Sequence, residues 1–111
     1  RGRGDVYKRQ ERGEHVWKRH SGWTGTKLES GPRDWFGRNL FATFEDDVAG
    51  LRNIELIGAE SVMWASDYPH SDTTWPNSRT TIDRIFAGVD EETKTKITCG
   101  NVEKLYQLQG A

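Results

Sequence analysis

The pattern of apolar and polar positions predicts two strands with a helix between them. Residues 39–44 form a short apolar run of strand composition, and acidic residues end it. A helix follows, with Asp46 or Asp47 as its N-cap and Gly58 at its C-cap position. Its apolar face consists of Val48, Leu51, Ile54 and Ile57. Residues 61–65 are a second apolar run without alternation, which is typical of strands covered on both faces.

The rest of the chain after the second strand predicts helices. Pro76 fits the first turn of a helix, and Asp90 fits the N-cap of another that includes Ile97. Gly100 is expected to break that helix, and Asn101 is a plausible N-cap for the last one. The apolar stripe of the first of these helices is formed by Ile82, Ile85, Phe86 and Val89. That of the last is formed by Val102, Leu105, Tyr106 and Leu108.

The amino-terminal third has no sustained hydrophobic period. Residues 1–10 lack a cap and resemble translated adapter sequence, so we interpret residues 1–13 as a non-native or disordered segment and expect the natural protein to continue upstream. Residues 14–38 contain five glycines or prolines and predict an irregular connection. The domain proper is therefore expected to cover residues 14–111.

Strands that alternate with helices predict an α/β fold with a parallel sheet. Such a sheet needs both faces covered and more strands than two, so a chain of 111 residues is expected to be part of a larger unit. The single cysteine excludes a disulfide scaffold and favours a cytoplasmic location. No apolar run reaches 18 residues, so no membrane partner is expected.

Charge is unevenly distributed along the chain. Residues 1–39 contain ten Lys and Arg and five Asp and Glu, whereas residues 40–111 contain six and twelve, which add to the net charge of −1. Residues 1–39, the basic front of the chain, also contain three tryptophans, and one interpretation of this segment is a nucleic-acid-binding arm. Scattered acidic residues and glycines favour a solvated segment instead, so no nucleic-acid partner is expected.

Candidate chemistry lies directly after the second strand. In α/β folds the reactive groups gather at the carboxyl ends of strands, and Asp67 occupies such a position. Its carboxylate could bind a divalent metal or act as a base, or it could cap a turn ahead of Pro69. His70 is a candidate metal ligand, general acid, hydrogen-bond donor to a metal ligand or substrate contact, with a solvated loop histidine as the alternative. Trp75 is a candidate substrate contact or a packed anchor.

Several stretches of the chain resemble the carboxyl-terminal part of the amidohydrolase-related proteins. This branch of the metal-dependent hydrolases includes aminocarboxymuconate-semialdehyde decarboxylase-like enzymes. The stretches are FATFEDD at residues 41–47, GAESVMWASDYPHSD at residues 58–72, GN at residues 100–101 and LY at residues 105–106. The most specific of them is SDYPH at residues 66–70, directly after an apolar strand.

The resemblance implies a (β/α)₈ barrel whose seventh and eighth strands are residues 40–44 and 62–65. It implies that Asp67 is a metal ligand and proton-transfer group, with zinc as the usual metal. His70 matches the common form of the motif. The H-x-H pair that the family carries on its first strand is absent from this sequence, so we expect the chain alone to be inactive.

The resemblance implies an enzyme that acts on a small-molecule substrate. The expected reaction is hydrolysis, in which metal-activated water attacks a carbonyl-type carbon. Nonoxidative decarboxylation by the same family is the first alternative, and a non-catalytic binding module built on the basic front is the second. The sequence leaves open the substrate, the metal and whether the full-length protein is a homo-oligomer.

Overall fold

The computed structural model describes residues 3–25 and 27–108, which form a mixed α/β structure. The helices are α1 (Arg3–Thr24), α2 (Val48–Arg52), α3 (Ile54–Ile57), α4 (Ser78–Ile85), α5 (Glu91–Thr95) and α6 (Asn101–Tyr106), and the strands are β1 (Ala42–Phe44) and β2 (Val62–Trp64). Short 3₁₀ turns cover Pro32–Trp35 and Ala59–Ser61, and a π-helical turn covers Lys96–Gly100.

The two strands pair in parallel, as the alternation of strands and helices predicts. Ala42 lies opposite Val62, and Phe44 lies opposite Trp64. The helical segment between them supplies the crossover that a parallel pair requires. Both strands therefore end at the same edge of the sheet, which places the residues that follow them side by side.

The predicted helix between the strands is present but divided. The Asp47 side chain accepts a hydrogen bond from the Gly50 amide (2.9 Å) and begins α2, as an N-cap does. Asn53 separates α2 from α3, and its side-chain amide donates to the Ala49 carbonyl (2.7 Å). Gly58 ends α3 with φ 90°, a conformation that side chains with a Cβ rarely adopt.

A compact apolar core joins both strands to the helices around them. Val62 is fully buried, and Ile97 is 1% exposed. The remaining core members come from β1, α2, α3 and the end of α4: Phe44, Leu51, Ile57, Ile85 and Phe86. Because burial of such side chains provides the main driving force for folding, this core fixes the position of the strand ends.

The carboxyl-terminal helices correct two expectations. Gly100 does not break the chain's helical course, because residues 95, 96, 100 and 101 all have right-handed helical dihedral angles and the π-helical turn joins α5 to α6. Asn101 is not an N-cap, because its side-chain amide donates to the carbonyl oxygens of Ala59 and Val62, each at 2.7 Å. Asp90 caps α5 as predicted, through the Thr93 amide (2.8 Å).

Pro76 is not in the first turn of a helix. Helix α4 begins at Ser78, with Asn77 at its N-cap position, so Pro76 lies in the turn before it. The apolar stripe of this helix packs as predicted, since Ile85 is buried and Ile82 contacts the core.

The prediction of an irregular amino-terminal segment is wrong for residues 3–24, which form α1. The buried side of this helix has helical spacing but a polar composition. Gln10 is 2% exposed, and Gly13, Glu14 and Trp17 are half-buried. A search for apolar periodicity therefore misses the helix, although its Lys, Arg, Glu and Gln residues favour helix formation. Residues 1 and 2 lie outside the described residues, and the domain boundary after residue 13 stays a prediction.

Polar contacts attach α1 to the rest of the structure. The Glu14 carboxylate accepts a hydrogen bond from the Arg33 amide (3.3 Å) and pairs with Lys18 (3.4 Å). The Arg33 guanidinium donates to Glu11 (3.2 Å) and to the Leu56 carbonyl at the end of α3 (3.1 Å).

In the part of the chain that the structure describes, no helix combines the length and the apolar character needed to cross a membrane.

Candidate active site

The residues that follow β1 and β2 meet in one small cleft. The Ala65 amide donates to the Phe44 carbonyl (2.9 Å), which continues the strand pairing by one step. Beyond that bond, Glu45 follows β1 and Asp67 follows β2. A cleft of about 160 Å³ between them is lined by Thr43, Phe44, Glu45, Ala65 and Asp67. The structure therefore brings two carboxylates to the carboxyl edge of the sheet, where enzymes with parallel strands place their reactive groups.

Asp67 lies where the sequence predicts it and has an unusual backbone conformation. Its φ is 60°, in the left-handed region that aspartate tolerates better than most residues do. Its side chain is 50% exposed, and Oδ1 lies 3.1 Å from Nδ1 of His70. Among the described residues, Oδ2 has no hydrogen-bond partner. Residues held in rare backbone conformations concentrate at functional sites, and here one oxygen is fixed while the other is available to a ligand.

His70 is brought to Asp67 by the turn between them. The His70 amide donates to the Asp67 carbonyl (2.9 Å), so the two residues are linked through both backbone and side chain. The imidazole is 74% exposed. This contact places His70 as an orienting partner of the Asp67 carboxylate, and its role as a substrate contact stays a prediction.

Glu45 is the residue that the sequence analysis missed. Its Oε2 atom is buried and has no hydrogen-bond partner among the described residues. Burial, followed by the negative charges of Asp72 and Asp67, raises the pKa of this carboxyl group above its ordinary value. Its backbone is held in place, since the Trp64 indole donates to the Glu45 carbonyl (2.8 Å). The sequence does contain one indication of Glu45, namely a carboxylate directly after a predicted strand. The same indication pointed to Asp67.

The two aspartates after Glu45 have structural partners. Asp46 forms an ion pair with Arg84 of α4, and Asp47 caps α2. The capping interpretation is therefore confirmed for Asp47. Neither residue lines the cleft, which leaves Glu45 as the carboxylate that β1 contributes to it.

Trp75 lies in a depression separate from the cleft. Its ring and that of Tyr68 are edge to face, with centroids 6.3 Å apart, and both line this depression with Ser66. The loop is fixed by Thr73, whose hydroxyl donates to the Ser66 carbonyl (2.6 Å) and accepts from the Trp75 amide (3.2 Å). Residues 65 and 67 thus line the cleft, whereas residues 66 and 68 line the depression. Substrate binding by Trp75 stays a prediction.

Comparison with known proteins identifies the family. The model of the Amidohydrolase family matches residues 5–108. The chain belongs to the amidohydrolase family. It is also similar to the crystal structure of the 5-carboxyvanillate decarboxylase LigW from Sphingomonas paucimobilis, with a TM-score of 0.73 and 26% sequence identity. The match covers 94% of this chain and 31% of that chain, so the amidohydrolase sequence here spans about a third of its neighbour. No curated protein matches it.

Members of the amidohydrolase family typically bind a divalent metal. Among residues 3–25 and 27–108, no group of three or more His, Cys, Asp or Glu side chains is arranged to hold one. The chemistry of the cleft nevertheless fits part of such a site. The Asp67 carboxylate offers one oxygen to it, and oxygen ligands suit zinc and harder cations alike. The Asp67 carboxylate of this amidohydrolase chain thus has one oxygen open to a ligand, and its role as a metal ligand stays a prediction.

Proposed function

We propose that this chain contributes two adjacent strands to the catalytic barrel of a metal-dependent amidohydrolase-family enzyme, and that Asp67 is its metal ligand and proton-transfer group. In this proposal β1 and β2 are the seventh and eighth strands of a (β/α)₈ barrel. The observation that carries it is the position of Asp67, at the shared carboxyl edge of two parallel strands and facing a cleft. The remaining metal ligands would come from strands that this chain does not contain.

The roles of the chain's own residues follow from the geometry of the cleft. The contact between His70 Nδ1 and Asp67 Oδ1 orients the carboxylate and leaves Oδ2 to hold the metal or a proton. The bound metal supplies Lewis acidity, which activates water or polarises a carbonyl group. The fixed loop of residues 66–75 keeps Asp67 in position.

Nonoxidative decarboxylation of a small carboxylic acid is the reaction that the comparisons support best. The support is the likeness to a 5-carboxyvanillate decarboxylase at 26% identity. In this reaction the carbon–carbon bond to the carboxylate breaks, carbon dioxide leaves, and the carbon that keeps the electron pair receives a proton. In this proposal Asp67 takes up a proton from solvent and delivers it through Oδ2 to that carbon, which leaves the carboxylate ionised for the next turnover. Hydrolysis of a carbonyl compound is the second candidate, and the match to the Amidohydrolase family model supports it.

The proposal is tested with Asp67→Asn in the complete enzyme that contains this chain. We expect turnover to fall about 10²–10⁴-fold, because proton transfer and a metal ligand are lost together. Bound metal per protein, measured by atomic emission, should fall as well. Carbon dioxide release from aromatic acids and hydrolysis of esters, amides and lactones are assayed in parallel to separate the two reactions.

The matched control is Asp83→Asn, the same chemical change at an exposed residue of α4 whose carboxylate lies 3.6 Å from Lys94. It should leave both turnover and metal content unchanged. If Asp67→Asn retains more than a few per cent of the activity, the assignment of Asp67 is wrong.

A further inference from the structure

We propose that Glu45 determines substrate specificity, by accepting at Oε2 a hydrogen bond from an O–H or N–H group of the substrate. This inference rests on the proposed function, because it assumes that the cleft beside Asp67 receives the substrate. It adds to that function a second contact and a chemical requirement, namely that the substrate carries a hydrogen-bond donor.

The first support is an unmet requirement of Glu45 itself. Its Oε2 atom is removed from solvent and receives no hydrogen bond from any described residue. Folded proteins pair nearly all such atoms, because an unpaired buried acceptor is costly, and more so when it is charged. Glu45 itself lines the cleft, and rotation of its side chain toward the cleft would let this acceptor meet a donor that arrives with a ligand.

The second support is the contrast with the acidic residues next to Glu45 in sequence. Asp46 pairs with Arg84, and Asp47 caps α2, so each carboxylate has a partner within the fold. The backbone of Glu45 is also satisfied, through the Trp64 indole. Only the Glu45 side chain is left without a structural task in this stretch of residues 45–47.

The third support concerns the type of group that Glu45 would accept. The cleft is lined by Thr43, Phe44, Glu45, Ala65 and Asp67, so among the described residues it offers no basic side chain to a substrate carboxylate. A hydroxyl or amino group is favoured there, because it can donate to Oε2. A substrate carboxylate would then lie away from Glu45, with the donor group directed toward it.

The experiment measures ligand preference in the complete enzyme by isothermal titration calorimetry. The probes are benzoate and its 2-, 3- and 4-hydroxy derivatives, which differ only in the presence and place of one donor. We expect the wild-type enzyme to bind at least one hydroxybenzoate about tenfold more tightly than benzoate. Glu45→Leu, which has no hydrogen-bond acceptor, should bind benzoate at least as well as the wild type and lose that preference.

The control variant is Glu55→Leu, the same change on an exposed residue of α3, and it should keep the wild-type preference. Circular dichroism and urea unfolding confirm that both variants are folded. The inference is overturned if the wild-type enzyme shows no preference for a hydroxybenzoate, including a failure to bind any of them, or if Glu45→Leu keeps the preference.

The two proposals fail in distinguishable ways. If Asp67→Asn abolishes turnover while Glu45→Leu keeps the ligand preference, only the inference on Glu45 is wrong. If Glu45→Leu loses the preference while Asp67→Asn remains active, the proposed role of Asp67 is wrong and the cleft is still a binding site for donor-bearing ligands.

Discussion

The two ends of the parallel strand pair differ in how their polar groups are satisfied. At the amino end, the Asn101 amide donates to the carbonyls of Ala59 and Val62, and Lys96 pairs with Glu60 at 3.0 Å. At the carboxyl end, Glu45 has a buried oxygen without a partner and Asp67 has a left-handed backbone conformation. In parallel α/β enzymes the amino end of the sheet serves stability and the carboxyl end serves chemistry. The satisfied and the unsatisfied polar groups of this chain lie at the corresponding ends.

The difference matters because buried polar groups have opposite effects in the two arrangements. A buried donor that meets two carbonyls stabilises the folded state, since none of the three groups loses its hydrogen bonding on leaving water. A buried carboxylate oxygen without a donor destabilises it. Substitutions at the two ends should therefore change stability with opposite signs, which gives a direct test of the comparison.

Asn101→Ala should have the largest effect on stability. It leaves the carbonyls of Ala59 and Val62 without their donor at a position that is 7% exposed. We expect the free energy of unfolding to fall by about 2–3 kcal/mol. Urea unfolding of the 111-residue chain, followed by tryptophan fluorescence, measures the change.

The matched control is Asn53→Ala, because the Asn53 amide makes one hydrogen bond of the same length, 2.7 Å, at an exposed site. Its effect should be clearly smaller, since water replaces the lost bond. Equal losses for the two variants would contradict the claim that the amino end of the sheet is secured by burial of Asn101.

The sequence predicted the parts of the fold that depend on local patterns. Two apolar runs mark β1 and β2. Asp47 and Asp90 cap the helices that follow them, and these caps could be predicted because each joins residues only three positions apart. The position of Asp67 followed from the strand boundary in the same way. For this part of the site, neighbouring residues carry enough information.

The missed features depend on contacts between distant residues. Helix α1 was missed because Gln10 and Glu14 face the protein, so its buried side is polar. Asn101 was taken for an N-cap because its partners at Ala59 and Val62 lie about forty residues away. Glu45 looked like an ordinary strand end, since its burial and its lack of a partner are visible only in three dimensions.

Glu45→Leu should change stability in the opposite direction to Asn101→Ala. It removes a carboxylate that is buried in part and has no partner at Oε2, while the hydrogen bond from Trp64 to the backbone of residue 45 is kept. We expect the free energy of unfolding of the 111-residue chain to rise by about 1 kcal/mol at neutral pH. A loss of stability of similar size would show that Glu45 has a structural partner after all.

The gain from Glu45→Leu should depend on pH. The pKa of Glu45 is raised above 4.5 in the folded state, so between the two values the folded chain binds more protons than the unfolded chain. The contribution of the Glu45 carboxyl group to the free energy of unfolding of the wild type therefore falls as pH rises from 4.5 through the raised pKa. The advantage of Glu45→Leu should appear over this range and stay constant above it, which urea unfolding at a series of pH values would detect.

Glu60→Gln should have the smallest effect, although it removes an ion pair at the satisfied end. The hydrogen bond from Lys96, followed by other favourable contacts, lowers the pKa of Glu60 below 4.5, so its contribution to stability is present above that pH and is lost as pH falls through the lowered pKa. The Glu60 side chain is 61% exposed, so solvent screens the pair and we expect a loss below about 1 kcal/mol at neutral pH. The loss should disappear in 1 M salt, whereas the loss from Asn101→Ala should persist. If both losses respond equally to salt, charge and not the buried Asn101 amide stabilises the amino end. The two ends of the sheet would then differ in their electrostatic interactions and not in the pairing of buried polar groups.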